Sequence, residues 1–199
     1  MYCIVKLRLE KLRLVITGNP GVGKHTSARI IAEKISAEII DINEVAIDNN
    51  ATGKKTNLGL DVDVKRLGRL LEKMLKAKRD FVIVGHLAPY VLKPAGISLV
   101  AVLRRSPYEL EKTLKKRGYS MNKVRENVAS EILGTSLYDS LKTFGKCKVA
   151  EFDTTDKTLK ETVDEILAAL QKKPKSKLIG IDWLNFVSEK GDMRRFFKY

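Results

Sequence analysis

Residues Gly18 to Thr26 read GNPGVGKHT, which places two glycines and Lys24 at the spacing G-x-x-x-x-G-K. This spacing is typical of a loop that binds phosphate between a β-strand and an α-helix. Glycine permits backbone conformations in which amide N–H groups turn inward around phosphate oxygens. Lys24 adds a compact positive charge, and the helix that follows adds the positive end of its dipole. The segment therefore predicts a site for a triphosphate tail.

The residue after the lysine departs from this motif. That position ordinarily carries Ser or Thr, whose hydroxyl binds Mg²⁺, but here it is His25, with Thr26 one residue later. Imidazole is a poor ligand for Mg²⁺, which prefers oxygen. We therefore expect His25 to point away from the site or to donate to a phosphate. Thr26 remains as the candidate metal ligand, and the backbone cradle does not depend on either side chain.

His86 is a second candidate for chemistry because it follows the apolar run Phe81–Val84, which predicts a buried strand. Ligands of parallel α/β sheets bind at the carboxyl ends of the strands. A neutral imidazole at that edge could orient water for hydrolysis of the bound triphosphate or hydrogen-bond to a substrate phosphate. The alternative is a histidine that satisfies neighbouring backbone groups.

The elements that would position these residues alternate between apolar runs and helical patterns. Such alternation predicts a parallel sheet covered by helices on both faces. The predicted strands are Leu12–Ile16, Glu38–Ile42, Phe81–Val84, Ser98–Leu103 and Lys148–Phe152. The predicted helices span Gly23–Ser36, Val64–Lys78, Pro107–Arg117, Met121–Leu141 and Thr158–Leu170.

Two of these helices begin with capping signals. Ser106 stands three residues before Glu109, and Thr158 stands three residues before Glu161, so both predict a capping box. The segment Asn43–Asp61, by contrast, is polar and has little periodicity. It predicts a mobile segment or a small insertion outside the core.

The chain carries 38 Lys and Arg against 24 Asp and Glu, for a net charge of +14. This excess indicates either a solvated basic surface or a polyanionic partner such as RNA or a ribosome surface. No apolar run approaches the roughly twenty residues of a membrane span, and lysine and arginine interrupt the N-terminal residues in a way unlike a secretory signal. With Cys3 and Cys147 as the only cysteines, we expect a reducing, cytoplasmic environment.

The two ends of the chain differ from its centre. Residues 1–11 predict an N-terminal extension that is either an extra edge strand over Tyr2–Leu9 or disordered. Residues 171–199 predict a basic tail rich in aromatic residues. The helical spacing of Ile181, Leu184 and Val187 favours packing of the tail on its own domain or on a partner, and RNA binding by stacking and charge is the alternative.

The order of these motifs resembles the archaeal and nuclear-type (isoenzyme 6-like) adenylate kinase family. The resemblance covers Leu12–Leu170 and is most specific over Val102–Ile132, which contains VLR followed by L-x-x-R-G-Y. It implies a three-layer α/β/α P-loop kinase fold with a central five-stranded parallel sheet. It also implies one domain over residues 12–170, with a nucleoside-monophosphate-binding segment at 41–63 and a short lid at 116–126.

The family resemblance also implies site residues and cofactors. The catalytic residues would be Lys24, His86 and Arg117, and the cofactors ATP and Mg²⁺. Asp41 and Glu44 match polar contacts of the monophosphate segment. In addition, Asp153–Thr155 resembles the loop that lines adenine, and Arg104 could also reach phosphates. The nucleotide-binding residues would be Gly18, Gly21, Val22, Gly23, Lys24, His25, Thr26, Asp41, Glu44 and Arg117, with Thr26 at the metal.

Two positions depart from the family pattern. The family usually has threonine in place of His25, and an acidic residue two places before the strand-end histidine, where this chain has Val84. That acid normally holds the water shell of Mg²⁺ or positions the attacking water. Both departures weaken the expectation of an efficient Mg²⁺-dependent kinase, and the acid could be replaced by a carboxylate at Asp41, Glu44, Asp61 or Asp63.

The resemblance implies an enzyme that interconverts ATP and AMP with two ADP, accompanied by slow ATP hydrolysis. It also implies a role in small ribosomal subunit maturation, with a small-subunit ribosomal protein or rRNA as partner and no membrane or DNA. The alternative is a nucleotide-switched ribosome-assembly ATPase or binding factor with little AMP kinase activity. A third possibility is another small-molecule kinase on the same fold.

Overall fold

Strands and helices alternate through the computed structural model, which describes residues 12–56, 59–77, 79–172 and 180–197. The strands are β1 (Arg13–Gly18), β2 (Glu38–Asp41), β3 (Thr52–Thr56), β4 (Gly59–Val62), β5 (Phe81–Val84), β6 (Leu99–Arg104) and β7 (Val149–Asp153). The helices are α1 (Lys24–Ile35), α2 (Ile42–Asp48), α3 (Val64–Met74), α4 (Ala88–Val91), α5 (Pro107–Lys116), α6 (Met121–Ile132), α7 (Thr135–Phe144), α8 (Leu159–Lys172), α9 (Trp183–Glu189) and α10 (Met193–Phe196).

Five of these strands form a parallel sheet in the order β2-β5-β1-β6-β7. The first strand is central, because Leu14 pairs with Val82 on one side and with Leu99 on the other. The chain therefore crosses to opposite sides of β1, which makes the carboxyl end of β1 the point where ligands bind in open α/β sheets. The prediction of a five-stranded parallel sheet is confirmed.

Successive side chains of the sheet pack into two separate apolar layers. Leu14 and Ile16 face one layer, which also contains buried residues of α1, α5, α6 and α8. Val15 faces the other layer, which contains buried residues of α2, α3, α4 and α7. Because strand side chains alternate between faces, the sheet is covered on both sides, and the predicted three-layer α/β/α arrangement is confirmed.

Two predictions about the elements are wrong. The single helix predicted over Met121–Leu141 is two helices, because Gly134 adopts a left-handed conformation with φ of +66° and ends the first of them. The segment predicted to lie outside the core contains α2 and the β3–β4 hairpin. Its residues Val45, Ala46 and Ala51 are buried in the apolar layer.

One predicted capping box is confirmed and the other is not. At the start of α8, Glu161 accepts from the Thr158 backbone N–H at 2.8 Å, and Thr158 Oγ1 accepts from the Glu161 N–H at 3.3 Å. At the start of α5, Ser106 makes no side-chain cap. Its backbone N–H instead donates to Thr155 Oγ1 at 2.8 Å, which ties the helix to the loop after β7.

The described part of the tail packs on its own domain. Val187 and Phe196 belong to the apolar layer that contains α1, α5 and α6. The Tyr108 ring of α5 contacts Phe196 edge-on at 5.3 Å between ring centroids, and its hydroxyl donates to Asp192 at 2.6 Å. The predicted extension at residues 1–11 and residues 173–179 of the predicted linker lie outside the described residues.

Candidate active site

Three glycines of the phosphate-binding motif lie at the end of β1 and in the loop before α1, and all three have a positive φ: +134° at Gly18, +93° at Gly21 and +98° at Gly23. A Cβ on Gly18 would also collide with the Leu103 carbonyl oxygen, and a Cβ on Gly21 would lie 2.8 Å from the end of the Leu110 side chain. Gly23 caps α1 and has open space on the side where a Cβ would stand. The backbone conformation therefore favours glycine at all three positions, and at Gly18 the adjacent backbone of β6 leaves no room for a side chain either.

This loop borders a cavity of about 250 Å³. The cavity is lined by Pro20, Gly21, Gly23, Lys24, His25, Thr26, Asn43, His86, Arg117 and Tyr119. The structure thus brings all three predicted catalytic residues together with most of the predicted nucleotide-binding residues. Gly18 and Val22 support the loop from the core side, because Val22 is buried and its carbonyl accepts from Thr154 Oγ1 at 3.2 Å.

Lys24 is only 6% exposed, and its Nζ donates to the Asn19 carbonyl at 2.8 Å. Burial lowers the pKa of Lys24 from 10.5 to about 8, the charge of Glu131 opposes that shift, and the charge of Arg117 adds to it. A buried ammonium that lacks a neutralising contact gains strongly from an anion. The lysine is therefore poised to exchange its carbonyl partner for a phosphate oxygen.

A buried charge network supports the loop from behind. Asn19 Nδ2 donates to Glu131 Oε2 at 2.7 Å, and Arg104 Nε donates to Glu131 Oε1 at 2.6 Å. Arg104 also pairs with Glu151, which accepts from the backbone N–H groups of the tail residues Gly180 and Ile181. The network thus connects the tail to the phosphate loop.

The position of Arg104 corrects its sequence interpretation. The guanidinium is only 1% exposed and is enclosed by Glu131 and Glu151. The predicted phosphate contact for this arginine is wrong, because its donors are directed into the network. Its role is to hold the carboxylate that in turn holds Asn19.

His25 makes a contact that its sequence position did not predict. Its Nε2 lies 2.9 Å from Asp41 Oδ2 at the end of β2, and the residue lines the cavity, so it does not point away from the site. Its donation to a phosphate stays a prediction. Partial burial raises the pKa of Asp41, but hydrogen bonds from His25 and from the Asn43 and Glu44 backbone together hold that pKa below its usual value. Asp41 is also the N-cap of α2, so the pair joins the starts of two helices.

Glu44 and Asp41 were both predicted to bind the nucleotide, but within the described part of the chain neither side chain lines either cavity of this site. The Glu44 backbone N–H donates to Asp41 at 3.5 Å. Val84, at the position of the family's acid, is buried in the core. Among the carboxylates considered as a replacement for that acid, Asp41 is the one that contacts the histidine of the loop.

His86 lies just beyond β5 and lines the cavity wall. Desolvation by the surrounding protein lowers the pKa of His86, and the positive charge of Lys24 lowers it further. The imidazole is therefore neutral at pH 7 and can both donate and accept a hydrogen bond. Arg117 also lines the cavity, from the exposed turn between α5 and α6.

A second cavity of about 680 Å³ adjoins the first. The two cavities share Pro20, Asn43, His86 and Tyr119. The second is further lined by one polar face of α6, formed by Lys123, Asn127 and Ser130, and by Asp61 of β4. That face was not predicted from the sequence, although polar residues spaced by three and four positions within an apolar helical pattern were a usable signal.

A family model and several known proteins are similar in sequence to this chain. The family model described as "AAA domain" matches residues 14–134. A Pyrococcus furiosus protein named "Putative adenylate kinase" is 38% identical over 176 residues, which cover 88% of this chain and 93% of that one. A Methanocaldococcus jannaschii protein of the same name is 32% identical over 175 residues, covering 86% of this chain and 93% of that one.

Solved structures of kinases share the fold. A gluconokinase from Sinorhizobium meliloti superimposes with a TM-score of 0.57 at 18% identity, covering 83% of this chain and 94% of that one. A shikimate kinase from Acinetobacter baumannii has a TM-score of 0.57 at 19% identity, covering 83% of this chain and 97% of that one. The fold is therefore that of the P-loop kinases. In the part of the chain that the structure describes, no helix combines the length and the apolar character needed to cross a membrane.

Proposed function

This chain belongs to a family of P-loop, adenylate kinase-like proteins, and we propose that it transfers the γ-phosphoryl group of ATP to AMP, forming two ADP, with slow ATP hydrolysis alongside. One observation carries the proposal. The cavity at the phosphate loop adjoins the larger second cavity, and Asn43, His86 and Tyr119 line both of them. A donor phosphate and an acceptor can therefore meet without leaving the site.

The residues of the smaller cavity would hold the donor. The loop amides and the start of α1 face the triphosphate, and Lys24 would contact its β- and γ-phosphates. In the transfer, the bond between the γ-phosphorus and the bridging oxygen of ATP breaks, and a bond to an AMP phosphate oxygen forms. Positioning and charge neutralisation supply most of the catalysis in such reactions.

Arg117 and His86 both line this cavity and would act in different ways. Arg117 lies on an exposed turn, so it would close onto the nucleotide and bring a second fixed positive charge to the phosphates as they react. The neutral imidazole of His86 would bond an acceptor phosphate oxygen, or orient a water molecule when AMP is absent. The second role supports the proposed slow hydrolysis.

The oxygen donors near the loop suit Mg²⁺, which is bound in kinases by one or two protein ligands together with phosphates and water. Thr26 lines the cavity, and Asp41 lies next to it, where one of its oxygens contacts the lining residue His25. These two residues would hold the ion. When bound, the ion would neutralise part of the phosphate charge.

A coupled assay of ADP formation tests the proposal. We expect turnover that requires both ATP and AMP, a smaller rate with ATP alone, and loss of both in Lys24→Met. The matched control is Lys34→Met, which removes an exposed lysine of the same helix that pairs with Asp164. ATP binding without any AMP-dependent turnover would contradict the proposed acceptor.

We propose as a second candidate a nucleotide-switched factor that acts in maturation of the small ribosomal subunit, with a ribosomal protein or rRNA as partner. The net charge of +14 favours such a polyanionic partner, and Val84 in place of an acid favours weak kinase activity. Cosedimentation with small-subunit particles at low salt, and its loss at high salt, is the expected result. Absence from those particles at every salt concentration would rule it out.

A further inference from the structure

A third cavity, of about 740 Å³, lies between α3 and the chain at residues 91–95, and we call it the α3 groove. Its lining carries the cations Arg13, Lys65, Arg69, Lys76 and Lys93 and one carboxylate, Glu72. The Nζ of Lys93 lies 3.0 Å from Glu72, so that carboxylate already pairs with one of the lysines. The described lining therefore holds a net excess of four positive charges.

Two features of α3, the helix that forms one wall of the groove, lower the stability of that helix. Lys65 and Arg69 are four residues apart, which places two like charges on one helix face. Gly68 lies between them in the middle of α3, although glycine is a poor helix former. A Cβ on Gly68 would approach the Val91 carbonyl oxygen to 3.2 Å, so glycine lets α3 approach α4 closely. Features that locally destabilise a fold are expected where a site is formed.

Arg13 adds a second such feature at the groove. One end of its guanidinium donates to the Leu75 carbonyl oxygen. Its Nε is buried and makes no hydrogen bond to any of the described residues. An unsatisfied buried donor is costly for a protein, so Arg13 is held at the groove at a local cost in stability.

We propose that the α3 groove binds the phosphodiester backbone of single-stranded nucleic acid. Several fixed cations along a concave surface suit a chain of regularly spaced phosphates rather than a flat membrane. Tyr90 stands at the rim with 53% of its surface exposed, where its ring offers a face for base stacking. An acidic peptide would use the cations but gain nothing from this ring.

The groove is separate from the phosphate loop but continuous with the acceptor side. It shares none of its lining with the cavity that contains Lys24, and it shares Val64 and Tyr90 with the second cavity. The inference deepens the second candidate function by naming a surface and a ligand chemistry. It does not depend on phosphoryl transfer.

Fluorescence anisotropy with a labelled U12 oligonucleotide tests the proposal at several KCl concentrations. We expect Lys65→Ala/Arg69→Ala to weaken binding at least tenfold. The log–log salt dependence should become shallower by about 1.4, because each single-strand phosphate contact contributes about 0.7. Both residues are exposed on a helix, where alanine is well tolerated, and a thermal melt checks the fold.

Three controls make the result decisive. Lys34→Ala/Lys157→Ala removes the same charge from exposed pairs outside the groove and should change affinity less than twofold. Lys24→Met should abolish ATP binding and leave U12 binding unchanged, which distinguishes the groove from the proposed kinase site. Tyr90→Ala should weaken U12 binding without changing its salt dependence.

The same assay with dT12 identifies the source of the ligand. Equal affinity means that the groove accepts RNA and DNA alike, and weaker binding of dT12 means that the 2′-hydroxyl contributes and RNA is the ligand. Equal loss in the groove variant and the charge-matched control would overturn the proposal. Displacement of U12 by ATP, or equally well by polyglutamate, would overturn it too.

Discussion

The Nε2 of His25 lies 2.9 Å from a carboxylate oxygen of Asp41, so the residue that replaces the usual hydroxyl ligand is tied to the end of β2. The same carboxylate caps α2, which begins the segment between β2 and the β3–β4 hairpin. The position that ordinarily carries the metal-binding hydroxyl is thus occupied by a residue that links the phosphate loop to the acceptor side of the site.

Replacing His25 tests this relationship. We expect His25→Thr to restore a hydroxyl ligand and to release Asp41, so that Mg²⁺ strengthens ATP binding by about tenfold more than in the unsubstituted protein, or ~1.4 kcal/mol. Calorimetry with ATP in Mg²⁺ and in EDTA measures the difference. His25→Ala, which frees Asp41 without adding a hydroxyl, is the control. If alanine and threonine gave the same gain, the hydroxyl would have no part in it.

The buried ammonium of Lys24 has a consequence for stability. Because the pKa of Lys24 is about 8 in the folded chain against 10.5 when exposed, the charged lysine opposes folding below pH 8. That penalty fades as pH rises from 8 toward 10.5. We expect Lys24→Met to raise the free energy of unfolding by on the order of 2 kcal/mol at pH 7 and by much less near pH 10.

Urea denaturation at both pH values measures this effect. Lys34→Met, at an exposed lysine of the same helix, should leave the free energy of unfolding nearly unchanged at either pH. A variant of Lys24 that is destabilised at pH 7 would show that its bond to the Asn19 carbonyl outweighs the cost of burial.

Removing Glu131 should expose the cost of an unpaired buried charge. Arg104 would lose one of its two carboxylate partners, and we expect Glu131→Ala to lower the free energy of unfolding by about 3–5 kcal/mol. Glu131→Gln keeps an oxygen for Arg104 and should cost less. Chemical denaturation measures the loss, and Glu126→Ala, at an exposed position of the same helix, is the control expected to stay near zero.

Arg117 should matter to the reaction more than to stability. We expect Arg117→Ala to lower kcat by about 10²-fold or more, since an arginine at the transferring phosphate is worth at least that much in related reactions. The kcat of Arg117→Lys should lie between those of Arg117→Ala and the unsubstituted protein, because lysine keeps the charge but cannot bind two phosphate oxygens in a fixed geometry. Steady-state kinetics measure both, with Lys116→Ala as the neighbouring control. An unchanged kcat would remove Arg117 from the mechanism.

The tail contributes to the core, so a single substitution there should destabilise the whole domain. Phe196 is 7% exposed and packs on Tyr108, and we expect Phe196→Ala to cost about 3 kcal/mol. Leu184 lies in the same tail but is 41% exposed, and Leu184→Ala should stay within about 0.5 kcal/mol. Thermal melts compare the two. If Phe196→Ala were as mild as Leu184→Ala, the tail would not be part of the cooperative unit.

The sequence allowed the sheet and the phosphate loop to be predicted because both are local. Continuous apolar runs such as Phe81–Val84 report burial on two faces, and the spacing from Gly18 to Lys24 fixes the loop without help from the rest of the chain. His86 was predictable for a related reason, since a strand that ends in a polar residue delivers it to the ligand edge.

The remaining features depend on elements distant in sequence. In the sequence, an arginine at the end of a strand is equally compatible with a ligand and with a pair of buried carboxylates. The carboxylates that Arg104 contacts lie on α6 and β7. The contact of His25 with Asp41 likewise requires β2 to end near the start of α1. Gly134 was a local signal for a helix break, but the apolar pattern on both sides of it favoured one continuous helix.

A Cβ on Gly18 would collide with the backbone of β6, so folding alone requires glycine at this position of the motif. Selection for folding can therefore be distinguished from selection for ligand binding within one motif. A library screened only for correctly folded protein should return glycine at 18, and small residues at best at 21, even if no member ever meets a nucleotide. Position 23 has space for a side chain but a φ of +98°, so that library should return mainly glycine with some asparagine there, and a screen that also requires ligand binding should remove the asparagine. The residues of such a motif are thus retained for two reasons, since the fold requires some of them and ligand binding requires others.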